Sequence, residues 1–419
     1  MTFRPGIDEV AVAQQVWGVE EVDAVTAVAA SGRWAAGLKT AEFEREFARW
    51  WGVRECVLVN SGSSANLLAL SALTSPSLGE RALKPGNEVI TAACGFPTTV
   101  NPIVQNGLVP VFIDCELETY NVQLSALEAA VGPRTKAIIL AHTLGNPFDA
   151  DRVRRFAEMH GLWFIEDCCD AVGAAWGGKP VGTFGAVATC SFYPAHHLSM
   201  GEGGAVLTKS PALRKIVESF RDWGRDCWCA PGCDDTCGKR LGWQLGSLPA
   251  GYDHKYTYAH RGYNLKATEF QAAVGLEQLK RLDGFIFARK GNFEALYVAL
   301  QRLPWLALPR WNFAGEWSPF GLPLRVTSDV SRETIIRHLW EKKIATRLLF
   351  AGNLTRHPAY ADVAFRVVGE LRNSDTVMST VFWVGVHPGL GEHELAYVAK
   401  TLAEVPYDVG SNSLVAGGT

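Results

Sequence analysis

The chain has 419 residues, 48% of them hydrophobic and 20% charged, a balance that fits a soluble globular protein with a sizeable core and a length that suits two domains. Lys plus Arg number 40 against 43 for Asp plus Glu, a formal net charge of −3, which excludes the basic surplus of a nucleic-acid binder. No apolar run approaches membrane-spanning length, and Met1 to Glu9 lacks a basic-then-apolar leader, so a cytoplasmic protein is expected.

Phe43, Phe47 and Trp50 recur at helical spacing in a segment ending at Gly52. Cys56 to Asn60 reads as a short apolar strand, followed by Ser61-Gly62-Ser63-Ser64 and an apolar helix from Ala65. Strands are expected at Glu88 to Thr91, Val109 to Asp114, Lys136 to Ala141 and Leu162 to Glu166, with helical stretches between several of them. This alternation predicts a mostly parallel sheet covered by helices. Val187 to Phe192 and Gly204 to Thr208 read as a further strand pair. Cys227 to Gly251 is rich in Gly, Cys, Asp and Pro and has no periodicity, which predicts an ordered insertion or functional loop. From Ala267 a helical pattern runs towards Leu303 and leads to a smaller C-terminal domain. The expected organisation is an arm and helix over 1–30 and a large domain over 31–285 with a Cys-rich insertion at 225–251. A small domain over 286–407 and a disordered tail over 408–419 complete it.

Three segments carry candidate chemistry. Leu162 to Asp167 is an apolar strand ending in a carboxylate, at the sheet edge where open α/β folds bind ligands. Such an Asp serves equally as a helix cap. Asn60-Ser61-Gly62-Ser63-Ser64-Ala65-Asn66 places backbone N–H groups and the Ser63 and Ser64 hydroxyls at a helix start, which suits a phosphate or a plain N-cap. The third segment is Cys190-Ser191-Phe192-Tyr193-Pro194-Ala195-His196-His197, closing with Gly201-Glu202-Gly203-Gly204.

Together these segments resemble the DegT/DnrJ/EryC1/StrS sugar aminotransferase family of pyridoxal-phosphate enzymes. Gly262-Tyr263-Asn264-Leu265-Lys266, Gln271-Ala272-Ala273 and His387-Pro388-Gly389-Leu390 match further blocks, so the resemblance covers nearly the whole chain. It implies an α/β fold of fold type I, with a mostly parallel central sheet in the large domain and a smaller C-terminal α+β domain. By position it implies that Asp167 holds the cofactor's pyridine nitrogen. Phe96 would stack on its ring, and Ser63, Ser64 and Ser191 would bind its phosphate. Asn264 would reach the phosphate of a neighbouring subunit, which implies a homodimer. Read alone, Phe96 fits a core position and Asn264 a turn. Arg347 and His142 are candidate substrate contacts.

One departure from the family pattern bears on function. Where the family carries the lysine that tethers the cofactor, this chain has His196. Imidazole cannot form that link, but it moves protons near neutral pH. The implied working cofactor is therefore pyridoxamine phosphate, held non-covalently. His197 is adjacent, and spacing alone leaves it open as the base. The family's His-bearing members are sugar 3-dehydratases, in a metal-free branch and an iron–sulfur branch.

The ten cysteines bear on that choice. Cys56, Cys94, Cys115 and Cys190 lie in apolar stretches and read as small buried hydrophobes. Cys168, Cys169, Cys227, Cys229, Cys233 and Cys237 fall in two tight groups, which suggests a metal site. The pattern Cys169-x57-Cys227-x-Cys229-x7-Cys237 resembles the ligand signature of the iron–sulfur branch. Asp253-His254-Lys255-Tyr256 and the segment from Thr346 to Leu354 resemble that branch as well. Four thiolates suit a [2Fe–2S] cluster or structural zinc, and a local set of Cys227, Cys229, Cys233 and Cys237 would suit a zinc loop. The resemblance implies loss of the C3 hydroxyl from a nucleotide-linked 4-keto-6-deoxyhexose. Electrons would come from a flavin or iron–sulfur NAD(P)H-dependent reductase or a ferredoxin system. The rivals are a metal-free, glutamate-driven dehydratase, an ordinary aminotransferase and a non-catalytic partner subunit with a structural zinc loop. Which nucleotide the substrate carries is not legible in the sequence.

Overall fold

The computed structural model describes residues 3–229, 233–311, 314–328 and 330–405. The tail expected over 408–419 lies outside the described residues. Strands β1 (Glu55–Val59), β2 (Glu88–Ala92), β3 (Val109–Ile113), β4 (Thr135–Ala141) and β5 (Trp163–Asp167) come first in the chain. The two-residue strands β6 (Ala175–Trp176) and β7 (Lys179–Pro180) precede β8 (Val187–Ser191) and β9 (Gly204–Thr208). The C-terminal third adds β10 (Leu306–Ala307), β11 (Gly315–Glu316), β12 (Gly321–Val326), β13 (Arg347–Leu348), β14 (Arg366–Val367) and β15 (Val381–Gly385).

The main sheet has eight strands in the order β1-β9-β8-β5-β4-β2-β3-β14. β9 runs antiparallel to both β1 and β8, and the remaining pairs are parallel. The carboxyl ends of β5 and β8 therefore open on the same edge, with Asp167 beside Thr189 in register.

Helices α1 (Val19–Ser31), α2 (Leu38–Trp51), α3 (Gly62–Ala72), α4 (Pro97–Gln105), α5 (Leu127–Ala130), α6 (Ala150–Met159) and α7 (Pro211–Arg221) precede the 32-residue α8 (Glu269–Leu300). The pleat divides the strand residues between two cores. Leu58, Ile90, Ile138, Leu140 and Phe164 face the side covered by α2, α6 and the first half of α8. Val57, Val59, Val89, Ile139 and Ile165 face the side covered by α3, α4 and α7. In α2, Phe43 and Phe47 stack at 5.3 Å, and Phe47 meets Phe192 edge-on at 5.1 Å. That contact anchors the residue just after β8, so the helix supports the turn that carries His196. Removing a ring buried this way costs about 3–5 kcal/mol.

A second sheet, antiparallel and ordered β10-β12-β15-β13, packs against the C-terminal half of α8. Helices α9 (Arg332–Glu341) and α11 (Glu392–Ala403) cover it, and α10 (Arg372–Thr380) leads into β15. Val10 of the N-terminal arm pairs with Ile344 of this region. Between Arg221 and His254, the described residues form no helix or regular strand, in line with the irregular insertion expected there. Among the described residues no helix is long and apolar enough to cross a membrane.

Candidate active site

A cavity of about 690 Å³ opens at the carboxyl edge of the main sheet. Gly62 and Ser63 from the start of α3 line it, with Phe96, Asp167, Cys169, Asp170, Ser191 and His196. The second sheet closes the other wall through Arg347 and Leu348 of β13, Trp383 of β15 and Phe320. No lysine is among its described lining residues.

Asp167 ends β5 and is 4% exposed. Its Oδ2 accepts hydrogen bonds from Asn66 Nδ2 at 2.8 Å and Thr99 Oγ1 at 2.7 Å, and its Oδ1 accepts from the Cys169 N–H at 3.1 Å. Asn66 is itself fixed by a bond from Thr189 Oγ1 at 2.6 Å. These contacts set the plane of the carboxylate. Phe96, half exposed, lines the same cavity.

Ser61 caps α3 by accepting from the Ser64 N–H at 3.1 Å. The helix start approaches β8 so closely that a Cβ on Gly62 would sit 2.5 Å from Ser191 Cβ. Glycine at that position lets the N–H groups of the first turn and the Ser191 hydroxyl share one corner of the cavity, a geometry that suits a phosphate. Ser63 is exposed there. Ser64 differs from expectation: it does not line the cavity, and its hydroxyl donates to Asn60 Oδ1 at 2.6 Å. Asn264 lies outside its own chain's cavity, bridged to Asp222 and accepting from Lys266 Nζ at 2.7 Å.

The two adjacent histidines have separate surroundings. His197 is buried, and its Nε2–H donates to the Ser318 carbonyl at 3.1 Å, away from the cavity lining. His196 is on the lining. Burial first, and then the Arg289 charge, push its imidazole down to about 3, so it stands as a neutral proton acceptor. Asp170 Oδ1 is 3.6 Å from His196 Nδ1, longer than a hydrogen bond. Burial and the charge of Asp167 push the Asp170 carboxyl up to about 8, so the two groups meet as neutral neighbours rather than as an ion pair. Arg289 fixes the turn from below. Its Nη2 donates to the carbonyls of Ala195 and His196 at 2.9 and 3.0 Å, and its Nη1 to that of Phe320 at 3.1 Å.

His142 also lines the cavity. It stacks on Phe148 at 4.0 Å, and its Nε2–H donates to Glu166 Oε2 at 3.3 Å. His142, Glu166 and Cys168 are the described donor set whose atoms lie within 4.8 Å of one another. Glu166 already accepts from the N–H groups of Gly182, Phe184 and Gly185 as well as from His142, so its carboxylate is satisfied without a metal.

Cys56, Cys94, Cys115 and Cys190 are buried, as expected for small hydrophobes. Cys227, Cys229 and Cys237 neighbour one another in the insertion. The Thr236 hydroxyl, aided by Cys227 and the N–H groups of Cys237 and Thr236, brings the Cys229 thiol down to about 7. A thiol set that low is readily deprotonated, the state metals require. Cys169 lines the cavity instead, and among the described residues no three of these four sulfurs lie within 4.8 Å of one another. The local donor set fits a thiolate-bound metal in its chemistry.

A family model, the DegT/DnrJ/EryC1/StrS aminotransferase family, matches residues 16–403. The chain belongs to this family. It is 55% identical over 405 residues to the lipopolysaccharide biosynthesis protein RfbH of Salmonella typhimurium, covering 96% of this chain and 93% of that protein. It is 52% identical to a dTDP-4-dehydro-2,6-dideoxy-D-glucose 3-dehydratase of Saccharopolyspora spinosa, covering 96% and 88%. The solved E. coli GDP-4-keto-6-deoxy-D-mannose-3-dehydratase with bound hydrated PLP superposes with a TM-score of 0.85 at 29% identity, covering 94% of this chain and 99% of that one. The fold is that of the fold-type I, PLP-dependent aminotransferases, as the sequence motifs imply.

Asn66, Thr99, Asp170, Arg289, Phe320 and Trp383 complete the site without having been singled out from the sequence. Asn66 lies inside a quoted motif, one turn from Gly62, and Asp170 lies three residues beyond the motif that ends at Asp167. Arg289 had one available signal, a charge on the buried stripe of α8.

Proposed function

We propose that the protein removes the C3 hydroxyl of a nucleotide-linked 4-keto-6-deoxyhexose, using pyridoxamine phosphate and a [2Fe–2S] cluster, in the synthesis of a 3-deoxysugar. The observation that carries this reading is His196 in a cavity that has no described lysine and is lined also by the fixed carboxylate of Asp167. Without an amine to tether it, the cofactor is held by contacts alone. Asp167 receives the protonated pyridine nitrogen, Phe96 covers the ring, and Ser63, Ser191 and the first turn of α3 take the phosphate, with Ser64 supporting that turn from behind. Asn264 contributes to the site of a neighbouring subunit in a homodimer. Trp17 before α1, Val19 at its start, Trp34 between α1 and α2, and Leu38 at the start of α2 are all exposed and support such an interface.

Bound pyridoxamine phosphate supplies an amine for the C4 ketone and an electron sink for loss of the C3 hydroxyl. His196, held neutral by burial, takes the proton from the cofactor's C4′ carbon, and Arg289 keeps the imidazole on station through the turn's carbonyls. Arg347 and His142 face the same cavity and serve as substrate contacts. Cys169, Cys227, Cys229 and Cys237 would hold the cluster, whose chemistry would be one-electron supply from a separate NAD(P)H-dependent reductase or ferredoxin. The names of the Saccharopolyspora and E. coli relatives, both sugar 3-dehydratases, support the reaction class.

A second reading, structural zinc in the insertion, is favoured by one observation: Cys227, Cys229 and Cys237 neighbour one another while Cys169 is in the cavity wall. Anaerobic purification followed by iron, sulfide and zinc analysis and a visible spectrum separates the two. Iron with equimolar sulfide and broad visible bands support the proposal; zinc without iron contradicts it.

A further inference from the structure

Among the described residues between Arg221 and His254, no helix or regular strand holds the insertion's cysteines in place. A long irregular segment keeps one conformation only where side chains cross-link it, because ordering it costs conformational entropy that no backbone ladder offsets. Three consecutive residues near its end make such links, each to a different part of the segment.

Asp253 takes a two-pronged ion pair from Arg240, with Nε to Oδ1 at 2.9 Å and Nη2 to Oδ2 at 2.8 Å. His254 is 1% exposed, and its Nε2 shares a hydrogen bond with Asp226 Oδ2 at 2.8 Å. Its ring packs edge-on to Trp228 at 5.0 Å and against Trp243 at 5.6 Å. Lys255 Nζ pairs with Asp234, which also meets Arg240 Nη1 at 3.3 Å. The main chain follows the same plan: the His254 N–H donates to the Arg240 carbonyl, and the Asp226 N–H to the Thr257 carbonyl, both at 2.9 Å. Asp226 immediately precedes Cys227, and Asp234 and Arg240 flank Cys237 on either side. The two cysteine arms thus meet on one tripeptide.

We propose that Asp253, His254 and Lys255 form a three-point clamp that positions Cys227, Cys229 and Cys237 as a metal-ligand set. The clamp rests on the functional reading above only in taking these thiols as metal ligands; its geometry is independent of which metal they hold. Asp253 fixes the far arm, His254 the near arm, and Lys255 the stretch that joins them. Trp228 and Trp243 pack on the His254 ring and hold it in place beside Asp226. These are positioning residues: they touch the ligand-bearing loop and not the sugar or the cofactor.

The test uses the full-length protein with Asp253→Asn, His254→Asn, Lys255→Met and Lys255→Arg. Each variant is reconstituted anaerobically with ferrous iron and sulfide, and iron loss to a chelator is timed. The metal-free forms are digested with a protease, and cleavage within 226–253 is timed. Thermal midpoint and pyridoxamine phosphate affinity are measured alongside. The clamp predicts that the first three variants lose iron and are cleaved about tenfold faster or more, the scale of outer-shell effects at metal sites. It also predicts that cofactor affinity is unchanged and that Lys255→Arg behaves as wild type. Lys255 is partly exposed, so Lys255→Met keeps the test valid should His254→Asn fail to fold. Iron loss and cleavage at wild-type rates in Lys255→Met and Asp253→Asn would overturn the clamp. If the wild type takes up zinc and no iron, the iron–sulfur reading fails. The same chelator and protease comparisons, run on the zinc form, then still decide the clamp.

Discussion

His196 Nδ1 stands 3.6 Å from Asp170 Oδ1 in a cavity whose described lining has no lysine. Both groups are held neutral by burial, so the imidazole is free to accept a proton and the neighbouring carboxyl does not compete for it as a counter-ion. His196→Asn keeps roughly the size of the side chain and removes the proposed base. Pyridoxamine phosphate binding, followed by its absorption band, should persist while turnover falls by about 10²–10⁴-fold, the usual contribution of a general base. Undiminished turnover would place the base elsewhere.

His197 provides the matched control. Its hydrogen bond to the Ser318 carbonyl is buried and faces away from the cavity lining. His197→Asn should lower stability by about 1–3 kcal/mol through that lost bond. The folded fraction should keep most of its turnover. Denaturant unfolding and turnover per folded molecule measure the two effects separately.

Much of this arrangement was legible in the sequence because it follows local patterning. The apolar runs before Ser61, Asp167 and Ser191 became β1, β5 and β8; β5 and β8 are parallel neighbours, β1 runs parallel to them across the antiparallel β9, and the sheet's carboxyl edge gathers their ends. What spacing could not separate, tertiary packing did: His196 and His197 are neighbours in sequence, but His196 lines the cavity while His197 bonds the Ser318 carbonyl. Arg289 was hidden for the same reason, since a guanidinium on α8 gains its role from carbonyls at positions 195 and 196, far away along the chain. Ser64 shows the opposite limit. A hydroxyl at a helix start satisfies a phosphate or its own turn, and here Asn60 takes it.

Asp167 is expected to bind the cofactor through its charge. Asp167→Asn retains the hydrogen-bonding shape but loses the charge-assisted bond to a protonated ring nitrogen, a difference of about 1.5–3 kcal/mol. Pyridoxamine phosphate affinity should fall by about 10- to 150-fold, read by titration of its absorption band. An unchanged affinity would remove Asp167 from the cofactor's contacts.

Glu88 gives the protein a stability term that depends on acid. Burial alone would raise its carboxyl, but Arg366, Thr135 and Arg134 together carry it below the ordinary 4.5. Arg366 belongs to β14, so this contact ties the last strand of the main sheet to the start of β2. A depressed folded value means the stabilisation is full above about 4.5. It is lost as pH falls through the lowered value. Glu88→Gln should cost about 1–3 kcal/mol at pH 7. Urea midpoints of the two proteins should converge once pH has fallen below that lowered value, and a gap that persists there would contradict the assignment.

The cysteine assignment divides along Cys169 and Cys233. Cys169→Ser should lose the iron signal on anaerobic reconstitution, while Cys233→Ser, which alters an exposed thiol, should retain it. The reverse pattern would indicate a local zinc-type loop with Cys233 as the fourth ligand.

The most direct measurement of the central claim is the mass of the product. Reconstituted protein is incubated anaerobically with a nucleotide-linked 4-keto-6-deoxyhexose, pyridoxamine phosphate and a reducing system, and the nucleotide sugar is analysed by mass spectrometry. The account predicts a product lighter by one oxygen atom, formed only when reductant is present. A product in which an amine replaces the C4 ketone, or one-oxygen loss driven by glutamate without reductant or iron, would contradict it.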